Sequence, residues 1–311
     1  GATAQQELAF TLADAIAYVE AAVARGLDVD EFAGRLSFFF AAWSELFEEV
    51  AKFRVARRMW ATIMRERFGA TSPRSMVCRF HVQPAGSSLT AQSIDNNVVR
   101  TTIQALSAVL GGAQSLHTNS RDEALALPTE EAARLALRTQ QILAHEAGVT
   151  ETPDPLAGSY YVESLSNELE AAAWAYLDEI EELGGTLTAI ARGFQQREIQ
   201  EAAYRVQRAI DDGSQVVVGV NRFRDDEIST PPTQKIDPEG ERRQVERVRR
   251  VRAARSIDDW TAAKDELDRV AAAEGNLMPA ILRAVRAYAT VGEISDRLRI
   301  AWGEHRELIT V

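Results

Sequence analysis

HVQPAGSSLTAQ (His81–Gln92) and GGAQSLHTNSRDEALALP (Gly111–Pro128), with a helical stretch between them, decide how this chain is read. Side chains alternate across a strand. Over residues 76–83, Met76, Cys78, Phe80 and Val82 share one face, and Val77, Arg79, His81 and Gln83 share the other. In the second stretch Ser115, His117 and Asn119 lie on one face, with Leu116 opposite. The segment from about 91 to 110 is expected to be a helix with Ile94, Val98, Ile103, Leu106 and Leu110 facing inward. Gly111–Gly112 turn the chain into a strand over 113–119. Strand, helix and strand make a βαβ unit, so two parallel strands under a covering helix are expected.

If the apolar faces meet the helices, the polar faces look into the centre of the sheet. An ordinary (β/α)8 barrel fills that centre with Val, Ile and Leu. Stranded polar groups would cost roughly 1–3 kcal/mol each unless water or a ligand satisfied them. The pattern therefore predicts a hollow polar axis that takes a ligand; the alternative is a solvated face of a half-open sheet. Function gathers at the C-terminal ends of such strands, which here carry Gln83, Gly86, Asn119 and Glu123. Gly86 permits close approach of a ligand. Glu123 could accept two ribose hydroxyl protons or cap a neighbouring loop amide, and the spacing leaves both open.

Outward from this unit the chain reads as mostly helical. Leu8, Leu12, Ile16, Val19 and Val23 form one stripe over 3–25, closed by Gly26, with Asp28 or Asp30 available to cap the next element. A long helix is expected over 38–68, its aromatics (Phe38, Phe39, Phe40, Trp43, Phe47, Phe53, Trp60) packing a core. Further helices are expected from Thr129 to about 147, at 166–183 and at 186–212, with a short strand at Val216–Val220. Residues 224–243, rich in proline and charge, read as a linker, followed by helices over 244–273 and 276–302. Two regions are thus expected, 1–223 and 224–311.

Composition narrows the function classes. The 311 residues carry a net charge of −11, which argues against a general nucleic-acid binder. No apolar run approaches the roughly 20 residues of a membrane helix, and the start is not a signal peptide. The lone Cys78 excludes an internal disulfide and fits a reducing cytoplasm. It falls on the apolar strand face, where an inert core thiol is expected. The run RRQVERVRRVRAAR (242–255) has Val245, Val248 and Val251 at helical spacing and reads as a packed helix rather than a nucleic-acid arm. His145-Glu146 lacks the second histidine of a zinc helix, and no metal site is expected. Asp122 and Glu123 are paired carboxylates in name, but adjacent loop residues seldom face one substrate.

These stretches resemble the large-subunit catalytic domain of the methylmalonyl-CoA mutase family. The resemblance is carried by HVQPAGSSLTAQ, NNVVRTTIQAL, GGAQSLHTNSRDEALALP, DPLAGSYYVESL, AYATVGEISDRL and ADAIAYVEAAVARGLDVDEFAGRLSFFF, in family order over essentially the whole chain. It implies an α/β fold, the C-terminal part of a (β/α)8 TIM barrel followed by a helical linker region. It also implies a radical 1,2-rearrangement of an acyl-CoA whose pantetheine arm threads the barrel. Adenosylcobalamin would lie across the C-terminal mouth and supply the hard chemistry. By motif, Arg35 and Ser37 resemble the coenzyme A contacts, Arg35 toward phosphate, and Ser115 resembles a contact to pantetheine. Gln83, Gly86, Asn119, Glu123 and Ala126 resemble the positions around the corrin and adenosyl group, with Glu123 holding the adenosyl ribose. His81 and His117 serve either ligand or strand network.

The departures from the family carry expectations too. The chain begins at Gly1, at the last Gly-Ala of a segment that in the family holds the active-site histidine. A catalytic histidine and tyrosine are therefore expected upstream of Gly1, the chain is expected to be an N-terminally truncated fragment, and only the last two barrel strands are expected in it. No D-x-H-x-x-G cobalt-ligand motif occurs, which implies a separate small cobalamin-binding subunit and a hetero-oligomer. Ser87, where single-chain members have tryptophan, leans the same way. The branch implied includes isobutyryl-CoA and 2-hydroxyisobutyryl-CoA mutases as well as two-chain methylmalonyl-CoA mutases. Alternatives are a non-catalytic truncated paralogue acting in assembly, or a barrel hydrolase working without cobalamin.

Overall fold

The computed structural model describes residues 1–224, 231–273 and 275–306. It divides into two compact units, Gly1–Gln234 and, among the described residues, 235–306. The first opens with α1 (Ala4–Ala24), whose N-terminus is closed by a capping box between Thr3 and Gln6. Leu8, Leu12, Ile16 and Val19 are buried as their spacing requires, while Val23 at the helix end is exposed. A short α2 (Val29–Phe32) follows, capped by Asp28, which accepts a bond from the Asp30 amide.

Phe38–Ala42 is a strand, β1, and not the start of a long helix; the helix α3 runs only over Leu46–Glu66. The aromatic run alternates, with Phe38 and Phe40 buried and Phe39 57% exposed. Three consecutive phenylalanines have no helical or strand period of their own, and aromatic residues favour a pleated surface. β1 pairs in parallel with β2 (Phe80–Pro84), and β2 with β3 (Ser115–Leu116), in the order β1-β2-β3. The described residues thus hold three paired parallel strands, where two barrel strands were expected. β2 starts at Phe80 rather than Met76 and ends one residue later than expected, and β3 is two residues long rather than seven.

The alternation of burial from residue 78 into β2 is as the sequence predicts. Cys78, Phe80 and Val82 are buried, and His81 and Gln83 are half-exposed. The buried rings of the sheet pack on α3: Phe80 stacks on Phe53, Phe40 lies tilted against Phe53 and edge-on to Phe80, and Phe38 meets Trp60 edge-on. Gly111 is needed where α4 (Asn96–Leu110) ends, because a β-carbon there would stand 2.5 Å from Phe53. At the outer edge of β1, Glu7 accepts from the Ala41 amide (2.6 Å) while Lys52 donates to the Ala41 carbonyl (2.9 Å). Lys52 is buried and also bonds Glu7 and Glu49, both at 2.5 Å. Burial opposes its charge, and the two carboxylates outweigh that and raise its pKa.

The inward face of α4 differs from expectation. Asn97, Thr101, Gln104, Ala105, Ser107 and Ala108 are buried, whereas Ile103 is exposed and Val98, Leu106 and Leu110 are half-buried. Small and polar residues let the helix lie close to the sheet and bond the loops at the strand ends. Beyond β3, α5 (Glu130–His145) starts at the Thr129 cap as expected. α6 (Tyr160–Glu182) begins earlier than expected, and Gly193 splits the next helix into α7 (Thr186–Ala191) and α8 (Phe194–Asp211). Val216–Val220 is not a strand. It is a turn held by the Asn221 side chain, with one isolated bridge between Val218 and Arg222.

In the second unit α9 (Pro238–Ala254) begins inside the expected linker, of which residues 225–230 lie outside the described residues. α10 (Ile257–Ala272), α11 (Leu277–Arg286) and α12 (Val291–Trp302) follow, so each of the two expected long helices is two. The first break is where Ser256 caps α10; the second is where Thr290 and Glu293 form a capping box. Ala263, Leu267, Ala280, Ala284 and Ile294 form this unit's own core. Arg255 stacks on Trp260 and grips Glu293 with both guanidinium nitrogens at 2.7 Å.

Candidate functional site

One face of the sheet is packed and the other is not. The packed face carries Phe38, Phe40, Phe80 and Val82; the open face carries Phe39, Ala41, His81, Gln83 and Ser115. In register, Phe39 lies beside His81, Ala41 beside Gln83, and His81 beside Ser115. His81 Nδ1 is 2.7 Å from Ser115 Oγ, which joins β2 to β3 across this face. The Phe39 ring stands 5.1 Å from the His81 ring. Phe39 was missed as a site residue because its segment reads as helix, and three phenylalanines in a row carry no period that could have singled it out.

The strand starts bear Arg35 and Ser37, both exposed. Arg35 closes a one-turn helix over Ala33–Arg35, and its guanidinium makes no hydrogen bond or ion pair among the described residues. Ser37 and Phe39 line a cavity of about 250 Å³ against Thr11, Asp14 and Tyr18 of α1. Burial raises the Asp14 carboxyl pKa there. From Ser37 to the level of Ala41 and Gln83 is about 13 Å, at roughly 3.3 Å per residue.

The strand ends converge. Gln83 Nε2 donates to Asn119 Oδ1 at 3.4 Å, and Asn119 Nδ2 donates to the Pro84 carbonyl at 2.9 Å. Asn119 is buried, so its amide serves chiefly to tie the two strand ends together. Gly86 faces both neighbours: a β-carbon on it would lie 3.1 Å from Glu123 Oε1 and 3.6 Å from Asn119 Nδ2. Gln83, Gly86, Asn119 and Glu123 are therefore brought together. Ala126 sits in the same turn, its amide donating to the Asp122 carbonyl. Arg35 and Ser37 belong to the opposite end of the face, with Ser115 between the two ends.

Asp122 and Glu123 point to different environments, as a loop pair should. Asp122 is buried and accepts from the Thr129 amide (3.0 Å) and hydroxyl (3.2 Å). Burial alone would raise its pKa, but these bonds, led by the Thr129 amide, hold it below the usual carboxylate range. Glu123 is exposed, and its carboxylate accepts no hydrogen bond among the described residues. With His117, Thr118 and Ser120 it borders a groove of about 250 Å³. A carboxylate with all its lone pairs available, beside a glycine and an amide, is a fit acceptor for two vicinal hydroxyls. The paired-carboxylate hydrolase arrangement is absent at this turn. Cys78 is buried, and burial pushes its thiol up to about 12. No group of three or more potential metal ligands occurs among the described residues, and no described helix is long and apolar enough to cross a membrane.

Comparison with known proteins shows the family. The sequence model for methylmalonyl-CoA mutase matches residues 1–304. Methylmalonyl-CoA mutase of Rhizobium meliloti (strain 1021) is 52% identical over 98% of this chain and 43% of its own length. The 2-hydroxyisobutanoyl-CoA mutase large subunit of Aquincola tertiaricarbonis is 50% identical over 99% of this chain and 55% of its own. Methylmalonyl-CoA mutase of Escherichia coli (strain K12) is 46% identical over 98% of this chain and 43% of its own. The chain thus spans about half the length of these relatives.

Proposed function

The chain belongs to the methylmalonyl-CoA mutase family, and we propose that it is part of the large subunit of an adenosylcobalamin-dependent acyl-CoA carbon-skeleton mutase. In this reading residues 1–223 are the C-terminal part of an acyl-CoA-binding (β/α)8 barrel, and 224–311 are a linker with C-terminal helices. The observation that carries it is the open sheet face. A free arginine stands at the strand starts, a free carboxylate beside Gly86 stands at the strand ends, and a strip of exposed Phe39 and Ser115 with half-exposed His81 and Gln83 joins them. A ligand with an anionic head and a long, jointed, mixed-polarity arm matches that strip, and a coenzyme A thioester is such a ligand.

Arg35 then pairs with a phosphate, Ser37 hydrogen-bonds near it, and Ser115, held by His81, accompanies the arm. Phe39 supplies an apolar wall for methylene groups. At the far end Glu123 accepts the hydroxyl protons of the adenosyl ribose, Gln83 and Asn119 hold the strand ends at fixed spacing, and Gly86 and Ala126 leave room. When bound, the cofactor supplies the radical chemistry of the rearrangement. The residues of this chain orient both ligands and exclude water between them. A cytoplasmic hetero-oligomer with a small cobalamin-binding subunit fits this reading. Its support is the name of the Aquincola relative, a large subunit.

The experiment is isomerisation by the full-length protein with its cobalamin-binding partner. Methylmalonyl-CoA and 2-hydroxyisobutyryl-CoA are each offered with and without adenosylcobalamin. Turnover of one of them that requires the cofactor is expected. Equal turnover without cobalamin, or none with either substrate, contradicts the reading.

A further inference from the structure

The loops that carry Gly86 and Glu123 are held to each other by one buried side chain outside the site. Asn97, in the first turn of α4, is fully buried. Its Oδ1 accepts from the Thr90 amide (3.1 Å) and from Arg100 Nη1 (2.8 Å). Its Nδ2 donates to the Thr90 carbonyl (2.9 Å) and to the Arg121 carbonyl (3.0 Å). An amide has two donors and two acceptor sites, and all four are in use. Thr90 closes the loop after β2 that contains Gly86; Arg121 lies two residues before Glu123. Asn97 therefore bridges these loops through Nδ2, which bonds a carbonyl of each, while its Oδ1 holds Thr90 and Arg100.

Neighbouring bonds brace the same link. Arg100 also donates to Thr90 Oγ1 (3.1 Å) and to the Val218 carbonyl (2.7 Å). One turn or more further along α4, Gln104 Nε2 donates to Ser88 Oγ (2.7 Å), which donates to the Ala85 carbonyl (2.6 Å). The polar inward face of α4 thus reaches the Gly86 loop at two points and the Glu123 loop at one. Within this seam Asn97 is fully satisfied, whereas Gln104 Oε1 and Thr101 Oγ1 have no partner among the described residues; what the seam sets is the spacing of two loops that approach each other at Gly86 and Glu123.

We propose that Asn97 is a positioning residue for the adenosyl group: by clamping Thr90 to Arg121 it fixes the gap between Gly86 and the Glu123 carboxylate. This rests on the reading of Glu123 as the ribose acceptor. Asn97 touches no ligand itself. It acts through the backbone of the two loops.

The test uses the full-length protein with its cobalamin-binding partner and compares binding of adenosylcobalamin with binding of methylcobalamin, which lacks the nucleoside. Asn97→Asp keeps the acceptor oxygen and the Arg100 partner, but sets a second oxygen against two carbonyls. It is expected to lower the preference for adenosylcobalamin about tenfold, the worth of roughly one hydrogen bond to a charged group, while acyl-CoA affinity stays within about twofold. Asn97→Ser, which retains one donor, is expected to fall between. Leu169→Ala, a core truncation on α6, serves as a control for general destabilisation and is expected to leave the preference unchanged. An unchanged preference in Asn97→Asp overturns the inference, as does an equal loss in Leu169→Ala. Glu123→Ala separates the two layers: if it too leaves the preference unchanged, the ribose assignment fails; if it alone lowers it, only the role of Asn97 fails.

Discussion

A β-carbon on Gly86 would stand 3.1 Å from Oε1 of Glu123. Gly86 is thus the floor beneath the one free carboxylate of the strand-end cluster. The contact is to the far end of a flexible side chain, so Gly86→Ala can be accommodated by a small swing of Glu123. Folding stability is expected to change by less than about 1 kcal/mol, while adenosylcobalamin affinity falls. Gly86→Val, which forces a larger swing, is expected to weaken the cofactor about tenfold or more. Equilibrium binding beside a denaturation curve checks both, and unchanged affinity in the valine variant refutes the assignment.

Arg35 is exposed and unpaired at the opposite end of the face. A free guanidinium that binds phosphate contributes only when phosphate is present. Arg35→Ala is therefore expected to weaken acyl-CoA about tenfold and to leave binding of the acyl-pantetheine fragment unchanged. The wild-type advantage should also shrink as salt rises. Equal losses for both ligands would place the phosphate elsewhere.

Lys52 is buried between Glu7 and Glu49 and closes the outer edge of β1 at Ala41. Removing one partner of such a cluster leaves charge buried without compensation. Lys52→Ala is expected to cost about 3–5 kcal/mol in urea unfolding of the full-length protein. A loss below about 1 kcal/mol would mean the cluster is relaxed or hydrated in solution.

In the helical tail, Glu293 accepts from both Arg255 nitrogens and from the Thr290 amide and hydroxyl. The Arg255 bonds, foremost, hold its carboxyl down to about 2 from an ordinary 4.5. A depressed carboxyl stabilises the fold above its unfolded value, and that contribution is lost as pH falls from about 4.5 toward about 2. Tail helicity, followed by circular dichroism, should therefore fall across that window, and Glu293→Gln should flatten the fall. Parallel curves for the two proteins would show that other groups control acid unfolding.

How much of this was legible depended on what each pattern encodes. The burial of Cys78, Phe80 and Val82 against half-exposed His81 and Gln83 comes from alternation alone, because one face of β2 is packed. Phe38–Phe40 escaped that reading because three apolar residues in a row carry no period, and with them went β1 and Phe39. Hydrophobic pattern makes Ile103 and Leu106 the inward residues of α4, yet the helix buries Asn97, Thr101 and Gln104 instead. Loop anchoring, a tertiary demand, overrides hydrophobic pattern there. The opposed fates of Asp122 and Glu123 are likewise invisible in sequence, since only the position of Thr129 decides which carboxylate is consumed.

The most direct measurement of the central claim is a paired titration of wild type and Glu123→Ala, each as full-length protein with its cobalamin-binding partner. Acyl-CoA and adenosylcobalamin are titrated separately. The account predicts that adenosylcobalamin affinity falls by about tenfold or more, the worth of hydrogen bonds to a charged group, while acyl-CoA affinity stays within about twofold. Unchanged adenosylcobalamin affinity, or a matching loss for acyl-CoA, would contradict it.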